Sequence, residues 1–156
     1  MLIDNKIISV LTIKDYKKSL DLAKCLYDSG IVNLDIRLRT QQSKKAIELI
    51  KNSKFKFNIG IGTVLSLEDL YFVKSLGIKY AYSPNTDVKI LNNANKLDIQ
   101  FIPGISNIDN VISAAKYNCK YLKYYPAEKS GGVSNLDLII AKSKIKKLKF
   151  IAMGGL

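Results

Sequence analysis

The stretch VNLDIRLRT, residues 32–40, decides the fold. Its apolar and charged side chains alternate, which is typical of a β-strand, where successive side chains point to opposite faces. The apolar pair is Ile36 and Leu38, and the charged residues of the other face are Asp35, Arg37 and Arg39. Buried charges are costly unless they are paired or used. If helices cover the apolar face, the three charges point into the protein, and the stretch predicts a functional site rather than a ladder of structural ion pairs.

Similar short β-branched or aromatic runs recur along the chain, with amphipathic segments between them. The predicted strands are residues 7–13, 32–40, 57–64, 80–83, 99–103, 121–125 and 150–153. They repeat at roughly 20 to 25 residues, which is the length of one β-loop-α-loop unit. This alternation predicts an α/β protein with a parallel sheet, either doubly wound or closed as a barrel.

The segments between the strands carry helix signals. One apolar stripe at helical spacing is Tyr16, Leu20, Ala23 and Tyr27, with Gly30 as the predicted C-terminal cap. Three Ser-x-x-Asp motifs, each with a capping hydroxyl and a first-turn carboxylate, predict helix starts. They are Ser66 with Asp69, Ser106 with Asp109, and Ser134 with Asp137.

Length bounds the architecture. The 156 residues fit a single domain, residues 1–156, and contain seven predicted strands. A complete (β/α)₈ barrel commonly takes about 250 residues and rarely fewer than 200. We therefore expect either an open sheet or a barrel of about seven β/α units in which the last strand and helix are missing.

The net charge of +12 raises the question of nucleic-acid binding. The charge comes from 23 lysines and two arginines, and the lysines are scattered along predicted helices and their ends. The densest run, KSKIKKLK at residues 142–149, has the spacing of a solvated helix face. Without interleaved aromatic residues or a binding motif, the sequence favours no nucleic-acid partner, although the charge can attract anionic substrates.

The sequence also lacks signals for export or membrane insertion. No run is long and apolar enough to cross a bilayer, and residues 1–6 contain no apolar signal core. The two cysteines, Cys25 and Cys119, lack metal-ligand spacing, and we expect both to be buried, reduced thiols. These features predict a cytoplasmic protein with no membrane partner.

A lysine interrupts the sixth predicted strand, within the run LKYYPAE at residues 122–128. The structural interpretation of Lys123 is a side chain on an edge strand, or one that extends along the apolar surface to solvent. The functional interpretation is a nucleophilic amine. Desolvation and the cations Arg37 and Arg39 would lower its pKa and free the amine for Schiff-base formation.

The Gly-x-Gly at residues 60–62 is a weak signal, typical of close backbone approach.

Six motifs occur in an order that resembles one enzyme family. They are LDIRLRT, GIGTVLS, SPNTD, FIPGIS, LKYYPAEKSGGV and the terminal GGL. Their order and spacing resemble the 2-keto-3-deoxy-6-phosphogluconate (KDPG) and 4-hydroxy-2-oxoglutarate (KHG) aldolases, over residues 7–155. The lysine and glycine-threonine runs are the most specific pieces. The resemblance implies a class I (Schiff-base) aldolase on a (β/α)₈ barrel, with no metal or other cofactor and usually a trimer.

The resemblance also implies a role for each matching residue. Lys123 corresponds to the Schiff-base lysine, and Asp35 to the general acid/base, which is usually glutamate in the family. The substrate-binding positions are Arg39 and Thr63 for the pyruvyl carboxylate, Pro84 and Tyr125 lining the site, and Gly154 and Gly155 for the phosphate. The implied substrate is a phosphorylated 2-keto acid that yields pyruvate and glyceraldehyde 3-phosphate, or the smaller KHG, which yields pyruvate and glyoxylate.

The sequence leaves alternatives open. Asp35 is one methylene shorter than glutamate, and Arg37 could pair with it and blunt it as a proton donor. Asn85 and Met153 also depart from the family pattern. The alternatives are therefore an aldolase for 2-keto-3-deoxy-6-phosphogalactonate, and a weak or inactive relative that binds anionic 2-keto acids.

Overall fold

Strands and helices alternate along the chain in the computed structural model, which describes residues 7–145 and 147–154. The strands of this described part are β1 Ser9–Leu11, β2 Asn33–Arg37, β3 Asn58–Gly62, β4 Tyr80–Tyr82, β5 Gln100–Ile102, β6 Gly104–Ile105, β7 Tyr121–Tyr124 and β8 Lys149–Ala152. Its α-helices are α1 Ser19–Asp28, α2 Ser43–Lys51, α3 Leu67–Ser75, α4 Val88–Lys96, α5 Ile108–Lys116 and α6 Gly132–Ser143, and a 3₁₀ turn, Tyr16–Lys18, precedes α1.

All strand pairs are parallel, as the alternation predicts. β1 to β5 form one sheet in chain order, and β6, β7 and β8 form a second sheet in chain order. Seven predicted strands correspond to eight observed ones because Pro103 divides the predicted strand 99–103 from its continuation. Proline has no N–H to donate, yet the Pro103 carbonyl accepts a hydrogen bond from the Lys123 amide at 2.9 Å. Pro103 is thus the junction between the two sheets.

The apolar residues form two clusters on opposite sides of the sheets. Leu34 and Ile36 of β2 are fully buried in the larger cluster, together with apolar residues of all six helices. The smaller cluster, which we call the inner cluster, contains Tyr82 and Ile102, against which Ile8, Tyr80, Tyr121 and Ile151 pack. Because five of these six side chains come from strands of both sheets, the sheets curve towards each other around this inner cluster.

The first helix departs from the predicted apolar stripe. Ala23 is buried, but Leu20 and Tyr27 are 41% and 39% exposed, so the apolar stripe is not the face that α1 buries. The buried face of α1 consists of Ser19 and Ala23, with the partly buried Leu26 packed against the larger cluster. Gly30 has a φ of +77°, as expected for a left-handed residue that follows a helix.

The predicted helix starts agree with the structure at one motif of three. Ser66 and Asp69 form a capping box at α3. At α5 the cap is Asn107 instead of Ser106, since the Asn107 side chain accepts from the Asn110 amide at 3.0 Å. α6 begins at Gly132, so Ser134 lies inside this helix, and that prediction is wrong.

The lysine-rich run 142–149 is not a helix face. α6 ends at Ser143, Lys144 has a φ of +52°, and β8 begins at Lys149. The run therefore connects a helix to a strand. The interspersed apolar residues Ile145 and Leu148 pack against the larger cluster, which explains the helix-like spacing.

The cysteines are both free, but only one is buried. Cys119 is 8% exposed, whereas Cys25 lies on the exposed side of α1, so the prediction that both thiols are buried is wrong. Within the part of the chain that the structure describes, no helix has the length and apolar character needed to cross a bilayer.

Candidate active site

The buried charged side chains of the two sheets lie on the same side of the sheets as the inner cluster. Asp35 lies on β2 and is 1% exposed, and Lys123 lies on β7 and is 4% exposed. They belong to different sheets, yet each charge shifts the pKa of the other. The curvature of the sheets therefore brings together two residues that are 88 positions apart in sequence.

Two glycines of β3 make room for the side chains of the neighbouring strands. A β-carbon at position 62 would overlap Asp35 Oδ1 and would lie 2.9 Å from Asp35 Cγ. A β-carbon at position 60 would overlap the Tyr82 ring. The predicted close approach at Gly60 and Gly62 is confirmed, and what approaches is side chain from both flanking strands.

The Asp35 carboxyl group is buried without a hydrogen-bond partner. Neither of its oxygens has one within residues 7–145 and 147–154, so Arg37 makes no hydrogen bond with Asp35, although the sequence allowed such a pair. Burial raises the pKa of Asp35 to about 6, although the charges of Lys123, Arg37 and Arg39 oppose this rise. Near neutral pH this carboxyl group can both give and take a proton.

Lys123 is neither an edge-strand lysine nor a snorkelling one. β7 lies between β6 and β8, and the side chain is almost fully buried. Burial lowers the pKa of Lys123, Arg37 and Arg39 lower it further, and Asp35 opposes them. The Nζ atom lies 4.7 Å from the centroid of the Tyr125 ring. These features give a lysine that can be neutral, and hence nucleophilic, at a lower pH than an exposed lysine.

An arginine and a threonine stand at the rim of this site. β2 ends at Arg37, so Arg39 lies two residues beyond the strand and is exposed. The Arg39 Nε–H donates to Thr63 Oγ1 at 3.3 Å. Thr63 follows β3 directly and has a φ of +60°, a left-handed conformation that β-branched residues rarely adopt. Strain at such a residue is often associated with function.

Tyr125 and Gly154 lie together at the ends of β7 and β8. Gly154 has a φ of +85°, and a β-carbon there would lie 3.0 Å from Tyr125 Cε2. Its carbonyl accepts a hydrogen bond from the Glu128 amide at 3.3 Å. Gly154 is exposed, so its backbone is accessible to a ligand. Gly155, the other predicted phosphate-binding glycine, lies outside the described residues.

Pro84 follows β4 and is half-buried. Its carbonyl group packs so closely on Gly104 that a β-carbon at position 104 would overlap it. Asn85 adopts a local turn in which its side chain accepts from the Ser83 hydroxyl at 2.7 Å. This part of the rim is set by backbone packing between β4 and β6.

Tyr82 is a residue of the site that the sequence analysis did not single out. It is 2% exposed, its hydroxyl has no hydrogen-bond partner among the described residues, and the Asp35 charge acts on it. The available signal was the spacing of Tyr80 and Tyr82, which places both on one face of a strand. No group of three or more metal-ligating side chains occurs in the described ranges.

The fold and the site define an α/β protein with a buried lysine amine and a buried carboxyl group that act on each other electrostatically. A sequence model described as "KDPG and KHG aldolase" matches residues 1–156. The 2-dehydro-3-deoxy-phosphogluconate aldolase of Pseudoalteromonas atlantica is 36% identical over 133 residues, which cover 85% of this chain and 62% of that protein. The KHG/KDPG aldolase of Escherichia coli K12 is 31% identical over 150 residues, covering 96% of this chain and 70% of that protein.

A solved structure is similar as well. The KDPG aldolase of Legionella pneumophila, with pyruvate captured at low pH as a covalent carbinolamine intermediate, has a TM-score of 0.89 and 31% identity. The match covers 96% of this chain and 71% of that one. This chain belongs to the KDPG and KHG aldolase family, and it spans between 62% and 71% of the length of these three relatives.

Proposed function

We propose that this chain is a class I aldolase that forms a Schiff base at Lys123 and cleaves KDPG to pyruvate and glyceraldehyde 3-phosphate. The observation that carries the proposal is the burial of Lys123 in a central strand, where its pKa is lowered and Asp35 faces it. A nucleophilic amine needs desolvation and a nearby proton carrier, and this site has both.

The proposal includes the finer architecture. We infer that the two parallel sheets are parts of one (β/α)₈ barrel in a single domain, with about seven units in residues 1–156. The inner cluster supports a closed arrangement, because Ile8 of the first unit and Ile151 of the last described strand pack on the same residues. A barrel places its working groups at the carboxyl ends of its strands, and Arg39, Thr63 and Tyr125 each follow the carboxyl end of a strand.

Arg39 fixes the substrate. Its guanidinium group offers a planar pair of donors to the carboxylate of the 2-keto acid. The hydrogen bond to Thr63 Oγ1 uses Nε and leaves both terminal nitrogens of the guanidinium group for this contact. We assign Pro84 and Tyr125 to the lining of the site.

Lys123 carries the covalent chemistry. The neutral amine attacks the C2 carbonyl and gives a carbinolamine. The hydroxyl group of the carbinolamine then takes a proton from the Asp35 carboxyl group and leaves as water, so that a protonated imine and an Asp35 carboxylate result. The positive imine withdraws electrons from the C3–C4 bond, which is the bond to be broken.

Asp35 then returns to its protonated form. Its carboxylate takes the proton of the C4 hydroxyl while the C3–C4 bond breaks, which releases the aldehyde and leaves an enamine on Lys123. Protonation of the enamine at C3 and hydrolysis of the imine release pyruvate. A pKa of about 6 suits a group that must donate and accept a proton in one cycle.

The remaining partners follow from the same reaction. We assign the phosphate of the substrate to Gly154 and Gly155, where glycine gives an anion access to backbone N–H groups. KHG fits the same pyruvyl half-site and would yield glyoxylate. We also propose a cytoplasmic protein that forms a homo-oligomer, a trimer by family resemblance, without nucleic-acid or membrane partners.

The alternative is a weak or inactive relative that binds anionic 2-keto acids without cleaving them. The observation that favours it is the deep burial of the Asp35 carboxyl group, which makes no hydrogen bond with the described residues. An aldolase for 2-keto-3-deoxy-6-phosphogalactonate is the alternative with active chemistry. Turnover of KDPG, of KHG and of 2-keto-3-deoxy-6-phosphogalactonate, each measured by the release of pyruvate, separates these possibilities.

Borohydride trapping tests the proposal directly. The protein is reduced with sodium borohydride in the presence of pyruvate, and the modified residue is located by mass spectrometry. We expect an adduct on Lys123 that disappears in Lys123→Ala. Lys149→Ala is the matched control, because Lys149 also lies over a tyrosine ring, Tyr121 at 5.6 Å, but is exposed. A folded wild-type chain without an adduct on Lys123 would exclude the Schiff-base mechanism.

A further inference from the structure

Three buried side-chain polar atoms of the described chain lack a hydrogen-bond partner, and they belong to two residues. They are both carboxyl oxygens of Asp35 and the hydroxyl of Tyr82. Leaving a buried polar atom without a partner costs about 1–3 kcal/mol. Buried water molecules commonly satisfy such atoms and make about three hydrogen bonds each. The proposed mechanism uses Asp35 but gives Tyr82 no role.

The two side chains converge over β3. Asp35 comes from β2 and passes over Gly62, and Tyr82 comes from β4 and passes over Gly60. Because Gly60 and Gly62 place no side chain between them, the two polar groups face each other across this strand. They are close enough for the Asp35 charge to act on the phenol, yet no direct hydrogen bond joins them.

We propose that Tyr82 is a positioning residue for Asp35, and that its hydroxyl and the Asp35 carboxyl group share one water molecule over the glycines of β3. The Tyr82 O–H donates to the water, and the water donates to the carboxylate. The water holds one carboxyl oxygen of Asp35 against β3. The other carboxyl oxygen is then free to exchange protons with the intermediate on Lys123. The catalytic part of the inference rests on the proposed aldolase function.

Tyr82 does not exchange its own proton in this scheme. Burial, with Asp35 and then Tyr80, raises the pKa of Tyr82 above the ordinary value of a phenol. The phenol therefore remains protonated while Asp35 passes its proton to the carbinolamine hydroxyl and recovers one from the C4 hydroxyl. The charged groups that act on Asp35 are Lys123, Arg37 and Arg39, and Tyr82 adds a neutral donor to them.

The first test needs no catalysis. The Asp35 pKa is measured by carbon-13 NMR titration of protein labelled at the aspartate carboxyl carbons, with Asp35→Asn to assign the signal. In Tyr82→Phe the carboxylate loses a donor, so we expect the Asp35 pKa to rise by roughly one pH unit. Tyr80→Phe is the matched control, since it removes the same atom from the same face of β4, and it should leave the Asp35 pKa unchanged. An equal Asp35 pKa in wild type and Tyr82→Phe overturns the inference.

The second test uses turnover. We expect Tyr82→Phe to lower kcat about tenfold with KM within about twofold, to move the acidic limb of the kcat profile to higher pH, and to retain the pyruvate adduct on Lys123. A merely structural tyrosine would leave the pH profile in place. If wild type forms no adduct, the aldolase function fails, and the titration still decides the role of Tyr82. If wild type turns over and Tyr82→Phe matches it at every pH, the inference alone fails.

Discussion

The Asp35 carboxyl group lies directly against the α-carbon of Gly62, on the neighbouring strand, with no room for a β-carbon between them. Arg37 Cγ would lie 3.1 Å from the same β-carbon, so the space beside Gly62 is closed on two sides. The position of the Asp35 carboxyl group is therefore set by the absence of a side chain at position 62 of β3. Glycine is required here for space, independently of its backbone freedom.

Gly62→Ala is expected to displace Asp35. Overpacking of this kind typically costs 1–3 kcal/mol of unfolding free energy, and a displacement of about 1 Å can lower turnover by a factor on the order of 10². Urea unfolding and steady-state turnover of KDPG measure both effects. Gly77→Ala is the control: it strains a φ of +64° but meets no atom within 4 Å.

The two variants should behave differently. Gly77→Ala is expected to lose stability while keeping kcat, because position 77 lies at the end of α3, away from the site. Gly62→Ala should lose both, and its stability cost should shrink when Asp35 is also replaced by Ala. Equal stability costs with and without Asp35 would show that the side chain is not what position 62 accommodates.

Asp35→Asn should change the pH dependence of stability. The pKa of Asp35 is 3.8 for the free group and about 6 when folded, so the unfolded chain releases this proton first as pH rises. Wild type therefore loses stability relative to Asp35→Asn between about pH 4 and 6. The loss is about 3 kcal/mol, from 1.36 kcal/mol for each unit of difference in pKa. Urea unfolding at pH 3.5, 5 and 7 measures it, and a difference that is constant with pH would contradict the raised pKa.

The rate of adduct formation with pyruvate should report the protonation of Lys123. Only the neutral amine attacks, so the rate rises with pH, with a midpoint below the ordinary lysine pKa of 10.5. In Asp35→Asn the midpoint should move to still lower pH, because the anion that raises the pKa of Lys123 is gone. Asp137→Asn, which removes an exposed carboxylate on α6, should leave the midpoint in place.

Thr63→Val tests whether Thr63 acts through Arg39. The substitution keeps the shape of the side chain but removes the acceptor of the Arg39 Nε–H. Hydrogen bonds to charged groups are worth about 1.5–3 kcal/mol, so we expect KM for the keto acid to rise at least tenfold, with a smaller change in kcat. In an Arg39→Gln background the same substitution should add little. If the effects of the two substitutions on KM are additive, Thr63 does not act through Arg39.

The order and type of the elements could be predicted because they depend on local periodicity. Each of the seven predicted strands overlaps an observed one. Their ends were less predictable: the alternation in residues 32–40 continues past Arg37, where β2 ends. At α5, adjacent Ser106 and Asn107 are both good caps, and sequence spacing alone does not choose between them.

The site could be predicted in part for the same physical reason. Lys123 and Asp35 stand out because a charged residue in an apolar strand is unusual, and the sequence of that strand alone is enough to recognise it. The role of Tyr82 depends on which residues of β2, β3 and β4 lie side by side, and this register is a long-range property. A tyrosine among apolar residues gives no local sign that its hydroxyl will meet a carboxyl group across two glycines.

The junction at Pro103 has a practical consequence. Asp35 and Lys123 belong to the two sheets that meet at this residue, so the lowered pKa of the amine depends on both sheets having folded and packed together. Reaction of Lys123 with a small carbonyl reagent, at a pH where exposed lysines react more slowly, is therefore a chemical probe of assembly. The labelled fraction of a preparation would count the molecules in which both halves have come together.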